Sequence, residues 1–385
     1  RIVLTAFTHR AVDHALLAIA ERYPELPLVK LGRSRQEDAK RLRAAGVRSA
    51  SGRRPSLPRT GVVAGTAFAL ARLPEEERFH FTVMDEAGQL PIPHACAGML
   101  RAQRWLLFGD HQQLPPVITA QHRDVEATRS VFGHLHHHYS GYAAADGFQC
   151  SHMLDITWRL NRDLCRVIGD TFYGGRLRSA EPIADRRMPF ETGDRLTGST
   201  AGQYDQVLDP EHGAVWLAMQ HGHPGPRNAI EAEAVADLVG ELVHRHEVPA
   251  SEIAVVAPFR AQVREILAAI QTRSLLGGTG GDSVRGGAPP PGLVVDTVER
   301  IQGQEREVVI VSLAVGDPAA LGGRSGFFFS ANRMNVALSR ARTKAVLVAS
   351  ERVLEALPMD PDALRVACVF RGMCAGMHRV DAADL

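Results

Sequence analysis

Short runs of aliphatic and β-branched residues alternate with longer stretches of helical periodicity along this chain. The runs predict strands at Ile2–Phe7, Gly61–Gly65, Phe81–Met84, Trp105–Phe108, Ala214–Met219, Ile253–Ala257, Leu293–Thr297, Val308–Leu313 and Ala345–Ala349. Apolar positions recurring every three to four residues predict helices over Ala11–Arg22, Arg162–Tyr173, Ala229–His246 and Ala261–Leu275. Strands that are apolar throughout are buried on both faces. Alternating with helices, they form parallel sheets with helices on either side. The expected fold class is therefore α/β, and the strands divide around residue 150 into two sheets in series.

Three segments break the rhythm. Gly32–Thr60 is basic and punctuated by Pro and Gly, Ser179–Pro210 is polar and irregular, and Gly277–Gly292 reads as a surface excursion. The 385 residues suffice for two or three domains, and no apolar run approaches the ~20 residues a membrane span needs. No secretory signal pattern opens the chain. Five scattered cysteines without a CxxC pair argue against a zinc site or a disulfide framework and fit a reducing, cytoplasmic setting. The histidines at 134 and 136–138, near Cys150 and His152, match no standard ligand spacing, and a polar helix between domains is the better reading.

Net charge is only +1, yet ten Lys or Arg fall between Lys30 and Arg59 against Glu37 and Asp38 alone. Such a surface suits a polyanion; a solvated arginine-rich loop is the plainer alternative.

Candidate chemistry sits at strand ends. Asp85 and Glu86 close an apolar run, where a carboxylate can hold Mg²⁺ and its neighbour can activate water. The next run ends in Gly109-Asp110, and two prolines follow Gln113, whose amide can both donate to and accept from a phosphate or water.

DEAGQ (85–89) and GDHQQLPP (109–116) resemble motifs II and III of superfamily 1 helicases. Further segments follow in that family's order. LTAFTHRAVD (4–13) resembles motif Ia, VVAGTAFAL (62–70) motif Ib, and ITWRLNRDLCRVIGDTFYGGRL (156–177) the arginine motif that opens the second motor domain. IAVVAPFRAQ (253–262), VVDTVERIQGQEREVVIVS (294–312) and NRMNVALSRAR (332–342) resemble motifs IV, V and VI. The similarity is strongest to subclass B enzymes of the nonsense-mediated-decay helicase type.

That resemblance implies two RecA-like domains, 1–150 and 151–385, the first with a basic insertion at about 30–60, and ATP hydrolysed at their interface. It implies Asp85 as the Mg²⁺ ligand, Glu86 as the activator of water and Gln113 as a γ-phosphate sensor. Arg159 and Arg340 would reach the γ-phosphate from the second domain through their fixed donor forks. Trp158 would pack on adenine, and Gly303 and Glu305 would form a turn near the nucleotide. A nucleic-acid track on the edge opposite ATP would use Thr8, His9, Thr66, Pro258, Gln262 and Thr297, although His9 stands where the family usually has Asn.

The expected partner is single-stranded DNA or RNA, moved by an ATP-dependent helicase or translocase; several relatives also carry an upstream nuclease. No GxxxxGK[ST] phosphate loop occurs within these residues, and none of the three lysines follows a glycine. Truncation before motif Ia explains this together with a start in mid-strand, leaving the chain by itself inactive. A non-hydrolysing binding module, a pseudo-helicase remnant, is the alternative.

Overall fold

The computed structural model describes the chain except for residues 53, 117–128, 142–149, 189–201, 277–288, 302 and 323–329. The chain divides into two compact units, Arg1–Met153 and Leu154–Leu385, each built around one six-stranded sheet.

The first unit contains β1 (Ile2–Ala6), β2 (Leu28–Leu31), β3 (Arg48–Ala50), β4 (Val62–Ala64), β5 (Phe79–Asp85) and β6 (Ala102–Leu107), in the sheet order β3-β2-β4-β1-β5-β6. Every neighbouring pair is parallel, so all carboxyl ends lie along one edge. Successive side chains leave a strand on opposite faces. Leu4 and Ala6 accordingly join Val12, Leu16 and Ala20 of helix His9–Arg22, whereas Val3 joins Leu31, Val63 and Leu70 on the other face.

The second unit contains β7 (Ile156–Thr157) and β8 (Arg178–Ser179), which pair as a short ribbon. Its sheet comprises β9 (Ala214–Met219), β10 (Ile253–Ala257), β11 (Val294–Thr297), β12 (Arg306–Ser312), β13 (Ala341–Ser350) and β14 (His378–Asp381), in the order β11-β10-β12-β13-β9-β14. Again every pair is parallel. Helices Ala229–Gly240 and Arg260–Leu276 supply Val235, Leu238, Val263 and Ile266 to a core shared with Val255, Ile310 and Val346. Both units are RecA-like parallel-sheet domains.

Four expectations change. The basic segment is not wholly irregular: it holds helix Gln36–Ala44 and β3. The helix expected to reach His246 is α-helical only to Gly240 and then widens into a π-turn over Glu241–Arg245, where Arg245 pairs with Asp205 and Glu241. Ser179–Pro210 contains helices Glu181–Ala184 and Asp205–Leu208, with its middle outside the described residues, as is most of Gly277–Gly292. The apolar run at 105–108 is not a buried strand. Among the described residues β6 pairs only with β5, and Trp105, Leu106 and Phe108 are about half exposed. Among the described residues, no helix is long and apolar enough to cross a membrane.

Candidate nucleotide site and nucleic-acid interface

At the carboxyl edge of the first sheet, β5 ends on Asp85, whose Oδ1 accepts the Glu86 N–H at 3.0 Å. Glu86 adopts φ +52°, a left-handed conformation uncommon outside glycine that turns the chain sharply off the strand. Its Oε2 accepts from Gln89 Nε2 at 2.9 Å. The turn is tied to the end of β6, because Ala87 N–H donates to the Phe108 carbonyl at 2.8 Å.

The two loops touch where only glycine fits. A Cβ on Gly88 would meet the Asp110 carbonyl oxygen at 2.6 Å, and one on Gly109 would meet Gly88 N at 2.7 Å. Asp110 organises the second loop, accepting from Gln112 N–H at 2.8 Å and from Gln113 Nε2 at 3.0 Å. The expected Mg²⁺, water and sensor residues therefore lie on adjacent strand ends. Asp110 belongs to the Gly-Asp turn expected before Gln113, whereas Gln89, which holds Glu86, was not anticipated as a site residue.

A second group forms at the amino edge of the second sheet. Glu305 precedes β12 and Arg340 precedes the adjacent β13, with Arg306 N–H donating to the Arg340 carbonyl at 3.0 Å. Arg159 follows β7, donates from Nη1 to the Ser339 carbonyl at 3.3 Å and pairs through Nη2 with Glu305. Burial would raise the Glu305 carboxyl. The Arg159 hydrogen bond and charge, joined by the charges of Arg340 and Arg342, outweigh burial and hold it below its ordinary value.

Arg340 is nearly buried and donates from Nε to the Val336 carbonyl at 3.2 Å. Trp158 is 69% exposed, which rules out a core role and leaves its ring faces open to stacking. Gly303 has φ +75° with nothing crowding a Cβ, so conformation rather than space selects glycine there. Asn161 anchors the arginine segment: it caps helix Arg162–Phe172 through Leu164 N–H at 3.0 Å and donates to the Thr343 carbonyl at 2.9 Å. Its position just before a helical run was the available signal.

The expected strand-contacting residues divide differently from expectation. In the second unit, Pro258 and Thr297 follow or end β10 and β11 at the carboxyl edge, opposite Glu305 and Arg340. In the first unit, Thr8 and Thr66 follow β1 and β4 on the same carboxyl edge as Asp85 and Gln113, so the opposite-edge expectation is corrected there. All the strands are parallel, and position along the edge separates the groups.

Thr8 is exposed and caps its helix by accepting Ala11 N–H at 3.1 Å, whereas Thr66 and Thr297 are buried. Gln262 is a second correction. It is fully buried, its Oε1 accepts Asn228 N–H at 2.7 Å, and its Nε2 donates to the Asn228 carbonyl and to Ser312 Oγ at 3.0 Å each. With both ends of its amide engaged, it positions loops rather than touching a strand.

The basic segment also needs revision. Lys30 is completely buried against Asp13 and adds nothing to a surface, and Arg53 lies outside the described residues. Arg33, Arg35, Lys40, Arg41, Arg43, Arg48, Arg54 and Arg59 are at least partly exposed. The histidines of helix Val131–Tyr139 stack on rings, His136 on His111 at 4.3 Å, and form no three-ligand group among the described residues. Asp205, Glu241 and His246 do converge, but the Arg245 guanidinium already engages both carboxylates.

Comparison with known proteins adds an independent result. A family described as "AAA domain" matches residues 127–352, more than half of the chain, and a second family of that description matches residues 40–121. The chain belongs to this AAA domain family. It is 25% identical over 371 residues to the DNA replication ATP-dependent helicase/nuclease JHS1 of Arabidopsis thaliana, covering 93% of this chain and 26% of that protein. It is also 25% identical over 383 residues to the DNA replication ATP-dependent helicase/nuclease DNA2 of Mus musculus, covering 93% and 33%. An uncharacterized ATP-dependent helicase of Methanocaldococcus jannaschii, MJ0104, is 23% identical over 300 residues, 76% of this chain and 39% of that one.

Together with the ordered motifs, the likeness to these relatives supports a superfamily 1 helicase reading of the chain. The chain spans about a quarter to a third of the length of the first two. A solved helicase of PRRSV aligns over 91% of this chain and 52% of its own at 15% identity, with a TM-score of 0.36, too loose a likeness to bear on the site.

Proposed function

We propose that these residues are the motor portion of an ATP-dependent helicase or translocase of subclass B acting on single-stranded nucleic acid. DNA is favoured over RNA, because the relatives named above are DNA replication helicase/nucleases. Asp85, Glu86 and Gln113 in the first unit and Arg159, Glu305 and Arg340 in the second are the residues assigned to ATP.

The observation that carries this reading is the meeting of Arg159, Glu305 and the segment 339–342, distant in sequence, at one sheet edge. Cationic forks such as those of Arg159 and Arg340, gathered near Glu305, can take over the charge of a transferring phosphoryl group. Asp85 suits Mg²⁺: it is half-buried at a strand end, and one of its oxygens accepts the Glu86 N–H, which orients the carboxylate. In the second unit the nucleotide residues and the strand residues Pro258 and Thr297 occupy opposite edges of one sheet, which suits a domain that links ATP state to grip on a strand.

The 385 residues contain no GxxxxGK[ST], so by themselves they bind ATP weakly and turn over almost none. A polypeptide joining them to such a loop hydrolyses ATP in response to single-stranded DNA and unwinds a forked duplex, and Glu86→Gln abolishes both. The measurement is steady-state ATPase beside strand displacement. Vigorous turnover by the 385 residues alone, lost on Glu86→Gln, would show the nucleotide site misassigned. Strand binding without turnover in the loop-bearing polypeptide would favour a binding module.

A further inference from the structure

His9 is an exposed residue opening helix His9–Arg22 directly after β1, and its Nδ1 lies 3.1 Å from the Nζ of Lys30. Lys30 belongs to β2, is completely buried, and its Nζ lies 3.1 Å from Oδ1 of Asp13, itself 3% exposed. His9 and Asp13 are four residues apart on one helix face and so bracket the ammonium from the same side.

The chemistry of the contact fixes the ring. An ammonium has only donors, so the Nδ1 facing it must present a lone pair, and the neutral imidazole then carries its proton on Nε2. Burial, and then the Lys30 charge, lower the imidazole below its ordinary value, and Asp13 opposes them only in part. The ring passes over Gly32, where an added Cβ would lie 3.5 Å from Cε1. Asp13 balances the charge of Lys30, so the pair orients the ring without itself attracting an anion.

We infer that the buried Lys30–Asp13 pair is a positioning device that holds His9 as the Nε2-protonated tautomer, so that its outward N–H donates to a phosphate oxygen of a bound single strand. This rests on the nucleic-acid reading above and names the part of the first unit that carries it. Lys30 acts through His9, which accounts for a lysine kept inside an apolar layer where a hydrophobic residue would pack at less cost.

The test has a spectroscopic and a binding arm, both on the 385-residue chain. With ¹⁵N-labelled histidine, the His9 resonances, assigned by their loss in His9→Gln, report an unprotonated Nδ1 and a protonated Nε2. Replacing the pair together, Lys30→Met with Asp13→Leu, avoids an orphaned buried carboxylate and yields a mixture of tautomers. Fluorescence anisotropy on a labelled oligothymidylate then shows affinity falling roughly ten- to hundredfold in His9→Phe, the size of one charge-assisted hydrogen bond. The paired replacement falls by less than this, and His9→Phe combined with it falls no further than His9→Phe alone.

A protonated Nδ1, a doubly protonated ring at neutral pH, or additive losses would overturn the proposal while leaving strand binding intact. Absence of strand binding by the unaltered chain would overturn the nucleic-acid reading, and this proposal with it, whatever the tautomer.

Discussion

Lys344 gives the second unit a pH dependence that can be worked out in advance. It is fully buried in β13, and its ammonium donates to the main-chain carbonyls of Val207, Asp209 and His212 at 3.0, 2.8 and 2.6 Å. Burial pushes it from 10.5 down to about 7, against the raising influence of Asp209 and Asp163. Between these two values the unfolded chain holds the proton and the folded one releases it. Stability must therefore rise with pH across that window.

The slope approaches ~1.4 kcal/mol per pH unit, and from about pH 7 to about pH 8.5 the contribution sums to roughly 1–2 kcal/mol. Above that range the Cys374 thiol, pushed up by burial, and the Tyr204 phenol, pushed up to about 12, act with the opposite sign, since the folded state then keeps protons that the unfolded state loses. Lys344→Met keeps the stem and removes the titration. The variant is less stable throughout because three carbonyls lose their donor. Its stability also lacks the rise, so the gap to the parent widens by about 1–2 kcal/mol between the two ends of the window.

Urea unfolding followed by tryptophan fluorescence in a Trp105→Phe background isolates the second unit, since Trp158 and Trp216 both lie within it. Equal pH slopes in parent and variant would refute the reasoning.

Two other outcomes follow from the site. In a loop-bearing polypeptide, Arg340→Ala and Arg340→Lys each lower ATP turnover by about 10³-fold or more, while single-strand affinity without nucleotide stays within a few-fold. ATPase assays beside anisotropy check this, and normal turnover without strand binding would move Arg340 to the strand track. Neutralising Arg41, Arg43 and Arg54, all exposed, flattens the salt dependence of single-strand binding by roughly 0.7 in log–log slope for each phosphate that is no longer neutralised, and an unchanged slope would remove this surface from the interface.

What the sequence discloses depends on whether the determining interactions are local. β1, β9, β10, β12 and β13 are largely buried on both faces, so their apolar runs have no other reading. β2, with sequence LVKL, escapes because Lys30 breaks its run. The partner that makes that lysine tolerable is Asp13, seventeen positions earlier on a helix. β3 and β14 are short and polar because they form the sheet edges. β6 misleads in the other direction: its apolar end, Trp105 to Leu107, reads as a core strand, while its position at the edge leaves Trp105 and Leu106 exposed.

The same division runs through the site. Asp85 and Glu86 are recognisable because a carboxylate pair at a strand end has a chemical meaning wherever the chain goes next. The closeness of Gly88 to Asp110, or of Arg159 to Glu305, depends on strand order, and no local pattern encodes strand order.

Gln262 shows the limit most clearly. An amide within a helicase-like motif invites assignment to a ligand, yet its hydrogen bonds go to Asn228 and Ser312, and Ser312 Oγ in turn donates to Glu231 at 2.7 Å. Glu231 also accepts the Ala314 N–H at 2.8 Å, so the loop after β12, the start of helix Ala229–Gly240 and the helix after β10 are fixed directly to one another. Such a network is costly to leave half satisfied, which is reason enough for its members to be specified. A motif residue can therefore serve by holding the edge on which Pro258 and Thr297 stand rather than by touching the strand itself, and only the burial of its polar atoms tells the two roles apart.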